Sequence, residues 1–410
     1  MSDQRACAEN AGENLLLENL PTDVLLLIFW YCDDVSLGRL SQQCKRFNDI
    51  ISDDFLWAKR SRDAIVTNQI TNEVQSRSFC SLSLRDKCRI SANWKRGRFK
   101  EKIYFSHKTR YMPWLSLGSG ILWLSKGTCI LGYRRRHDGL YAQAPHFTLK
   151  GHSDDVCRFV ATNDMIISGG RDGTLCGWCQ ATGQFLFCRR TSHSSDINSV
   201  SVSGNIFVSG SRDKTVKIWW YIDAEHRCNL LKTVDVHDRV WSVSCRPQGE
   251  MCAVGSAGYH HIPPLHIYDL QQGKEIVGLN GSFRPGAGIL DIHWESPHTF
   301  LSTGYDAFIR LWDIRTGSNV NSWEDPFDSA IYCIDSDNLH TILCGMAQHG
   351  RVQLWDKRQH NSLQMYFMSA NHSSPVYSLA FDPCQLFAAL DQSLNVMDFS
   401  GYKNAAISYM

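Results

Sequence analysis

No run of this 410-residue chain is apolar for long enough to cross a bilayer. The longest, residues 24–32, is nine residues, about half of the ~20 that a spanning helix needs. Charge of one sign is also lacking: 42 Lys and Arg face 41 Asp and Glu, a formal net of +1. That leaves no global field to gather nucleic acid or a membrane surface. The first residues, Met-Ser-Asp-Gln-Arg, are polar and unlike a secretory signal. Cysteine is plentiful at 16, yet no framework spacing is present and several fall in predicted strands. They read as small buried thiols of a reducing compartment rather than disulfide staples. A soluble intracellular protein, cytoplasmic or nuclear, is expected. With 43% apolar residues it can bury one large domain or two unequal ones.

What is present is repetition. Ser-Gly-Ser-Arg212-Asp213-Lys-Thr-Val-Lys-Ile-Trp219 returns in altered form as Ser168-Gly-Gly-Arg-Asp172-Gly-Thr-Leu-Cys-Gly-Trp178 and as Ser302-Thr-Gly-Tyr-Asp306-Ala-Phe-Ile-Arg-Leu-Trp312. In all three the Asp stands six residues before the Trp. Around each, alternating and β-branched residues bounded by Gly, Asn and Asp read as short strands. The third strands end at Tyr133, Trp178, Trp219, Tyr268, Trp312, Trp355 and Met397, at intervals of 45, 41, 49, 44, 43 and 42 residues. This spacing predicts a four-stranded blade per repeat and seven blades in all.

These units resemble WD repeats, with Trp-Asp at Trp312-Asp313 and Trp355-Asp356 and Gly-His at Gly151-His152. The resemblance implies structural tetrads of His152, Ser168, Asp172 and Trp178, and of His193, Ser209, Asp213 and Trp219. A catalytic triad should occur once; this set repeats and is read as scaffold. An open sheet edge is an aggregation liability. Residues 102–106, ahead of the first full set of strands, are therefore expected to close the ring as the outer strand of the last blade. The fourth unit departs from the pattern, with Gly255-Ser-Ala-Gly-Tyr-His-His-Ile-Pro-Pro264 lengthening its turn.

The N-terminal part has helical periodicity instead. Leu37, Leu40, Cys44, Phe47 and Ile51 recur at 3, 4, 3 and 4, which predicts one face of a helix. A shorter helix is expected over 22–31 after Leu20-Pro21, and a third from about Ser52-Asp53 through Trp57. So small a core leaves apolar surface that seeks a partner. The order Leu20-Pro-Thr-Asp-Val-Leu-Leu-Leu-Ile28, then Leu37 to Leu40, Cys44-Lys-Arg-Phe47 and Leu56-Trp57 resembles the F-box motif. The resemblance implies an adaptor of the Skp type and a cullin-RING ubiquitin ligase as partners. Carried over position by position, it makes Leu20, Pro21, Ile28, Leu37, Leu40, Phe47 and Trp57 candidates for binding the adaptor or supporting its site.

Between the two parts, residues 61–101 are expected to be a helical linker. Residues 85–102 hold eight Lys or Arg against two acidic residues; a solvated helix face is the preferred reading over a nuclear or nucleic-acid signal. Asn93-Trp94-Lys-Arg-Gly97 resembles the junction of F-box/WD-repeat proteins, whose Trp packs on the blades. Arg134-Arg-Arg-His137 is a second basic cluster and is read with the same restraint. Cys176 and Cys179 lie three apart on a predicted strand, so their sulfurs face opposite ways, and no second pair supplies further ligands.

The expected architecture is a disordered N-terminus (1–14), an all-α F-box (15–60), the linker (61–101), an all-β seven-bladed propeller (102–400) and a tail (401–410). Over nearly its whole length the chain resembles F-box/WD-repeat proteins. That implies a non-catalytic substrate receptor of a Skp-cullin-F-box ligase, which promotes ubiquitination of target proteins, phosphorylated ones included. No cofactor, metal, nucleic acid, membrane or self-association is expected. The rival readings are a WD-repeat scaffold outside ubiquitin chemistry and a propeller enzyme, for which no nonrepeating nucleophile or phosphate loop is visible.

In phosphate-binding relatives, arginines cluster before the turn Asp and at the starts of the inner strands. Here the first position gives Arg171, Arg212 and Tyr305. The second gives Trp114, Cys157, Asn198, Trp241, Asp291, Tyr332 and Tyr377. The expected target site is mixed: Arg171 and Arg212 for an acidic or phosphorylated residue, and Trp241, Tyr332 and Tyr377 for an apolar or basic neighbour, with Tyr305 a further target-binding candidate. Packing between blades is the alternative role for these rings.

Overall fold

The computed structural model describes residues 16–118, 120–136, 139–222, 226–259, 262–279, 281–368 and 373–401. The expected disordered segment 1–14, the tail apart from Gly401, and His137 of the second basic cluster lie outside them. Among the described residues no helix is long and apolar enough to cross a membrane. The chain divides into a helical unit (1–64 with 82–89) and a β unit (65–81 with 90–410).

In the helical unit, Thr22–Tyr31, Asp34–Leu40, Lys45–Ile51 and Asp54–Ala58 are short helices. The single helix expected through Leu37, Leu40, Cys44, Phe47 and Ile51 is thus two. The break has a local cause. Ser41 turns its hydroxyl back to the Gly38 carbonyl at 2.9 Å, and Cys44 is extended (φ −150°, ψ 160°) as the cap of the next helix, its sulfur accepting from the Phe47 N–H at 3.4 Å. The 3-4 spacing survives because both helices turn Leu37, Phe47 and Ile51 into one core with Leu25, Phe29, Leu56 and Trp57. Phe29 and Phe47 meet edge to face at 5.4 Å. Arg60 caps the first helix by donating to the carbonyls of Trp30 (3.0 Å) and Cys32 (2.7 Å), as cations near helix C-termini do.

The expected linker is not an independent segment. It is helical only over Arg60–Asp63, Asn72–Arg77 and Leu84–Lys95, and its last residues already belong to the strand Lys100–Ser106. Residues 65–81 and 90 onward group with the blades. Trp94 is fully buried, stacked on Phe399 at 3.7 Å and donating from Nε1 to the Pro383 carbonyl at 3.0 Å.

Seven four-stranded antiparallel sheets follow, spanning 115–150, 156–189, 197–235, 240–278, 289–324, 331–367 and 376–398 as blades 1 to 7. The last sheet is completed by Lys100–Ser106 pairing with Ser393–Asp398. Closure therefore joins the chain before blade 1 to blade 7, as the edge argument requires.

Around the channel the inner strands are stitched blade to blade by one position. Arg158 donates to Ser199 (3.2 Å) and the Val243 N–H to Ser199 (3.1 Å). Ser242 donates to the Ile289 carbonyl (2.8 Å) and the Ile334 N–H to Asp291 (3.0 Å). Cys333 donates to the Val376 carbonyl (3.4 Å), and the Leu115 N–H to Ser378 (3.1 Å). Blades also approach closely: a Cβ at Gly169 would sit 2.3 Å from the Ile197 side chain, and one at Gly210 2.5 Å from Val240. The repeated Gly before the turn is thus a packing requirement.

Candidate functional site

Each inner strand from blade 2 to blade 7 carries a register shift at its second residue. A bulge adds one residue and re-aims its side chain. The residues so displaced are Cys157, Asn198, Trp241, Leu290, Tyr332 and Tyr377, and all six line one cavity of about 290 Å³ at the channel mouth. In blade 5 the mouth residue is Leu290, not Asp291 as expected from the sequence. The repeated pattern is a β-branched residue, the mouth residue, then a stitching residue, and Asp291 is the stitching residue. The spacing Ile289-Leu290-Asp291 against Val240-Trp241-Ser242 carried that signal.

All six expected target-site residues converge on this cavity: Arg171, Arg212, Trp241, Tyr305, Tyr332 and Tyr377. The rings form a continuous arc, each edge to face with the next. Trp241 and Tyr305 are 6.5 Å apart, Tyr305 and Tyr332 6.2 Å, and Tyr332 and Tyr377 5.7 Å. This is the preferred geometry of aromatic pairs. Burial, then the Tyr332 neighbour, pushes the Tyr305 phenol up to about 12, so Tyr305 is uncharged at neutral pH.

The opposite half of the mouth is charged and balanced. Arg171 faces Asp155 and Arg212 faces Asp196, both at 3.9 Å, beyond hydrogen-bond distance. Arg171 also reaches the Met112 sulfur at 3.0 Å. The floor is Arg158, stacked on the Trp114 ring at 3.6 Å and donating to Asp291 at 3.0 Å. Sequence reading missed Arg158, Asp155 and Asp196, whose roles depend on how the ring closes. Burial pushes the Cys157 thiol up to about 12, against the partial pull of Arg171, which disfavours the thiolate.

The tetrads stand away from this chemistry. In blade 3, His193 hydrogen-bonds Ser209 at 2.8 Å and Asp213 at 2.9 Å, and Trp219 Nε1 donates to Ser209 at 2.9 Å. In blade 2, His152 bonds Ser168 at 2.6 Å and Asp172 at 3.2 Å. In blade 5, Trp312 donates to Ser302 at 2.8 Å, but the partner of Asp306 is Arg310 at 2.6 Å. Arg135 of the second basic cluster is likewise structural: its buried side chain ion-pairs with Asp382 and donates to the Arg77 carbonyl at 3.0 Å. Cys176 is buried opposite Cys188 across the sheet, apart from Cys179.

At the lower end of the channel, Glu73, His293 and Asp335 bring ligand-type atoms within 4.8 Å of one another. Arg77 already pairs with both carboxylates, with Asp335 at 2.5 Å and with Glu73. A guanidinium therefore supplies the positive charge there.

In the helical unit the adaptor candidates separate. Leu37, Phe47 and Trp57 are buried in the core; Leu20, Ile28 and Leu40 are half-buried against it; Pro21 is exposed. Sequence reasoning missed Val24, Leu27 and Tyr31. They recur at i, i+3 and i+7 on the first helix and are 41%, 61% and 82% exposed. Val35 and Phe55 are exposed as well.

The F-box-like family signature matches residues 17–63, and the WD domain, G-beta repeat signature matches 143–179, 186–219 and 274–313. The chain is 37% identical over 387 residues to F-box/WD repeat-containing protein 4 of Mus musculus and of Homo sapiens, covering 93% of this chain and 93% of each relative. The chain belongs to the F-box/WD-repeat family. The three repeats matched are those ending in Trp178, Trp219 and Trp312. Blades 1, 4 and 7 of this F-box/WD-repeat protein have Tyr133, Tyr268 and Met397 at the equivalent position. The solved structure of U3-55K superposes with a TM-score of 0.60 at 16% identity, covering 73% of this chain and 98% of that one; it shows the fold alone.

Proposed function

We propose that this protein is a substrate-recognition subunit of a Skp-cullin-F-box ubiquitin ligase: its helical unit docks on a Skp-type adaptor and its propeller holds the target. The reading is carried by the first helix. Residues 24–31 are apolar on every side, yet only Leu25 and Phe29 are buried in that helix. A surface helix of a self-sufficient domain has a polar outer face; this one turns Val24, Leu27 and Tyr31 outward beside Pro21. Such a face has the composition of an interface core. The docking residues in this reading are Pro21, Val24, Leu27 and Tyr31, flanked by Leu20 and Ile28, while Leu37, Phe47 and Trp57 support them from the core.

The protein performs no bond chemistry in this reading. Its contribution is to raise the effective concentration of a target lysine near the charged conjugating enzyme.

Binding of the full chain to purified Skp-type adaptor tests the proposal. Leu27→Ser with Tyr31→Ser removes exposed apolar area without touching the core, and should weaken adaptor binding at least about tenfold, as loss of interface anchors does. Circular dichroism and thermal unfolding should stay unchanged. Undiminished binding sinks the assignment of this face.

A further inference from the structure

Resting on the reading of the propeller as target receptor, we propose that the channel-mouth cavity takes the side chain of an arginine in an unmodified segment of the target. Electrostatic balance decides against phosphate. A phosphate site needs guanidinium groups with no carboxylate competing for them. Here Arg171 faces Asp155, Arg212 faces Asp196, and Arg158 is engaged by Asp291 and Ser199. Farther out on the rim, Arg110 lies 3.6 Å from Asp391. Each of the three guanidiniums that line the cavity thus already has a carboxylate beside it, Asp291 reaching Arg158 from below the lining, and a phosphate would bring its own negative charge beside Asp155 and Asp196.

The uncharged half then breaks the tie. Trp241, Tyr305, Tyr332 and Tyr377 line that half, and the faces of such rings attract cations and repel anions. A guanidinium is weakly hydrated, stacks on such rings and forks onto carboxylates. Asp155 and Asp196 hold their own arginines only at 3.9 Å, so they keep acceptor capacity for an incoming donor. The cavity is also blind. The Arg158–Asp291 bridge closes it below, and Arg158 lines both this cavity and the lower one. A blind hole of about 290 Å³ suits one inserted side chain, with the neighbouring target residues over the rim.

The test is selection of unmodified and phosphoserine-containing twelve-residue peptides on the immobilised full chain, with adaptor binding measured in parallel on every variant. Unmodified peptides with a required arginine should be selected. Tyr332→Ala with Tyr377→Ala should weaken the selected peptide roughly tenfold to a hundredfold, and the paired Phe variants should retain it. Asp155→Asn with Asp196→Asn should weaken it in a salt-dependent way. Arg171→Ala with Arg212→Ala should leave it unchanged or tighter, the opposite of what a phosphate site would do.

Selection of phosphopeptides whose binding falls in that arginine variant overturns the inference and leaves the receptor reading standing. The same follows if no peptide binds at about 100 μM, a weak affinity by any recognition standard, while the adaptor binds. If arginine peptides bind and the adaptor does not, the receptor reading fails and the cavity's preference stands.

Discussion

Arg158 of blade 2 donates to Asp291 of blade 5 at 3.0 Å, from one side of the channel to the other. The same carboxylate accepts the backbone N–H of Ile292 (3.0 Å) and of Ile334 (3.0 Å) in blade 6. One ion pair thus fixes three blades and walls off the upper cavity. Both groups are buried, at 8% and 6% exposure. Removing one partner of such a pair leaves an uncompensated buried charge.

Arg158→Met is accordingly expected to destabilise the propeller by about 3–5 kcal/mol, the range for breaking a buried pair from one side. The double change with Asp291→Asn should recover part of that loss, because no lone charge remains. Denaturant unfolding of the two variants and the parent checks this. With Asp291→Asn alone measured as well, a double-variant loss equal to the sum of the two single losses would show that the pair carries no coupling.

Two histidines give the stability opposite pH dependences. Burial lowers the His193 pKa below 6.5, against the pull of Asp213, so the folded state holds it neutral. Its contribution is present above pH 6.5 and is lost as pH falls through the lowered value. Burial also opposes charge on His293, but there Glu73, then Asp335, outweighs it and raises the pKa. That contribution is complete below pH 6.5 and is lost as pH rises through the raised value. In unfolding measurements between about pH 5 and 8, His193→Gln should cost most at the alkaline end and His293→Gln most at the acid end. Parallel pH profiles for the two variants would contradict the assignment.

Asp213 adds a second acid step. Burial works against its charge, but the Thr215 hydroxyl, His193 and the N–H groups of Ser194 and Thr215 hold its pKa down to about 2. Its contribution is present above the ordinary 3.8 and is lost as pH falls from there to about 2. Asp213→Asn should flatten the unfolding profile across that window, read by circular dichroism.

The propeller was legible because one interval recurs and because Trp178, Trp219 and Trp312 occupy a fixed place after a turn Asp. The mouth residues were legible for the same reason, since repetition converts one assigned strand into seven. Asp291 was placed one residue off because a bulge cannot be seen in a single strand's alternation; only comparison with Trp241-Ser242 and Tyr332-Cys333 exposes it. Partners across the ring, such as Arg158 with Asp291 or Arg77 with Asp335, depend on closure, and no local pattern encodes them. The helix break at Cys44 escaped because two short helices burying one face keep the spacing of one long helix.

Closure gives the next prediction. Lys100–Ser106 is the outer strand of blade 7 and pairs along Ser393–Asp398. Of two chains that both lack the Trp94 anchor, one beginning at Arg98 keeps this strand and should melt higher and stay more soluble than one beginning at Pro113, which exposes the edge of that blade. Equal melting temperature and solubility for the two would mean that the ring does not depend on this strand.

Trp94 sits where the chain enters the β unit, and its contacts reach the end of blade 7. Its ring is stacked on Phe399 and stands edge to face with Tyr366 at 5.9 Å, while the Tyr366 hydroxyl donates to the Trp94 carbonyl at 2.6 Å. Asn93 adds a bond to the Phe399 carbonyl at 2.9 Å. Trp94→Ala should cost about 3–5 kcal/mol, as other buried Trp truncations do. Trp94→Phe should cost less, because it keeps the stack and loses only the bond to Pro383. The contacts join the entering chain to the strands that close the ring. The loss should therefore appear early in hydrogen exchange at Lys100–Ser106 and Ser393–Asp398, before it appears in blades 3 and 4. Uniform loss of protection across all seven blades would place the anchor's effect on the whole ring rather than on its seam.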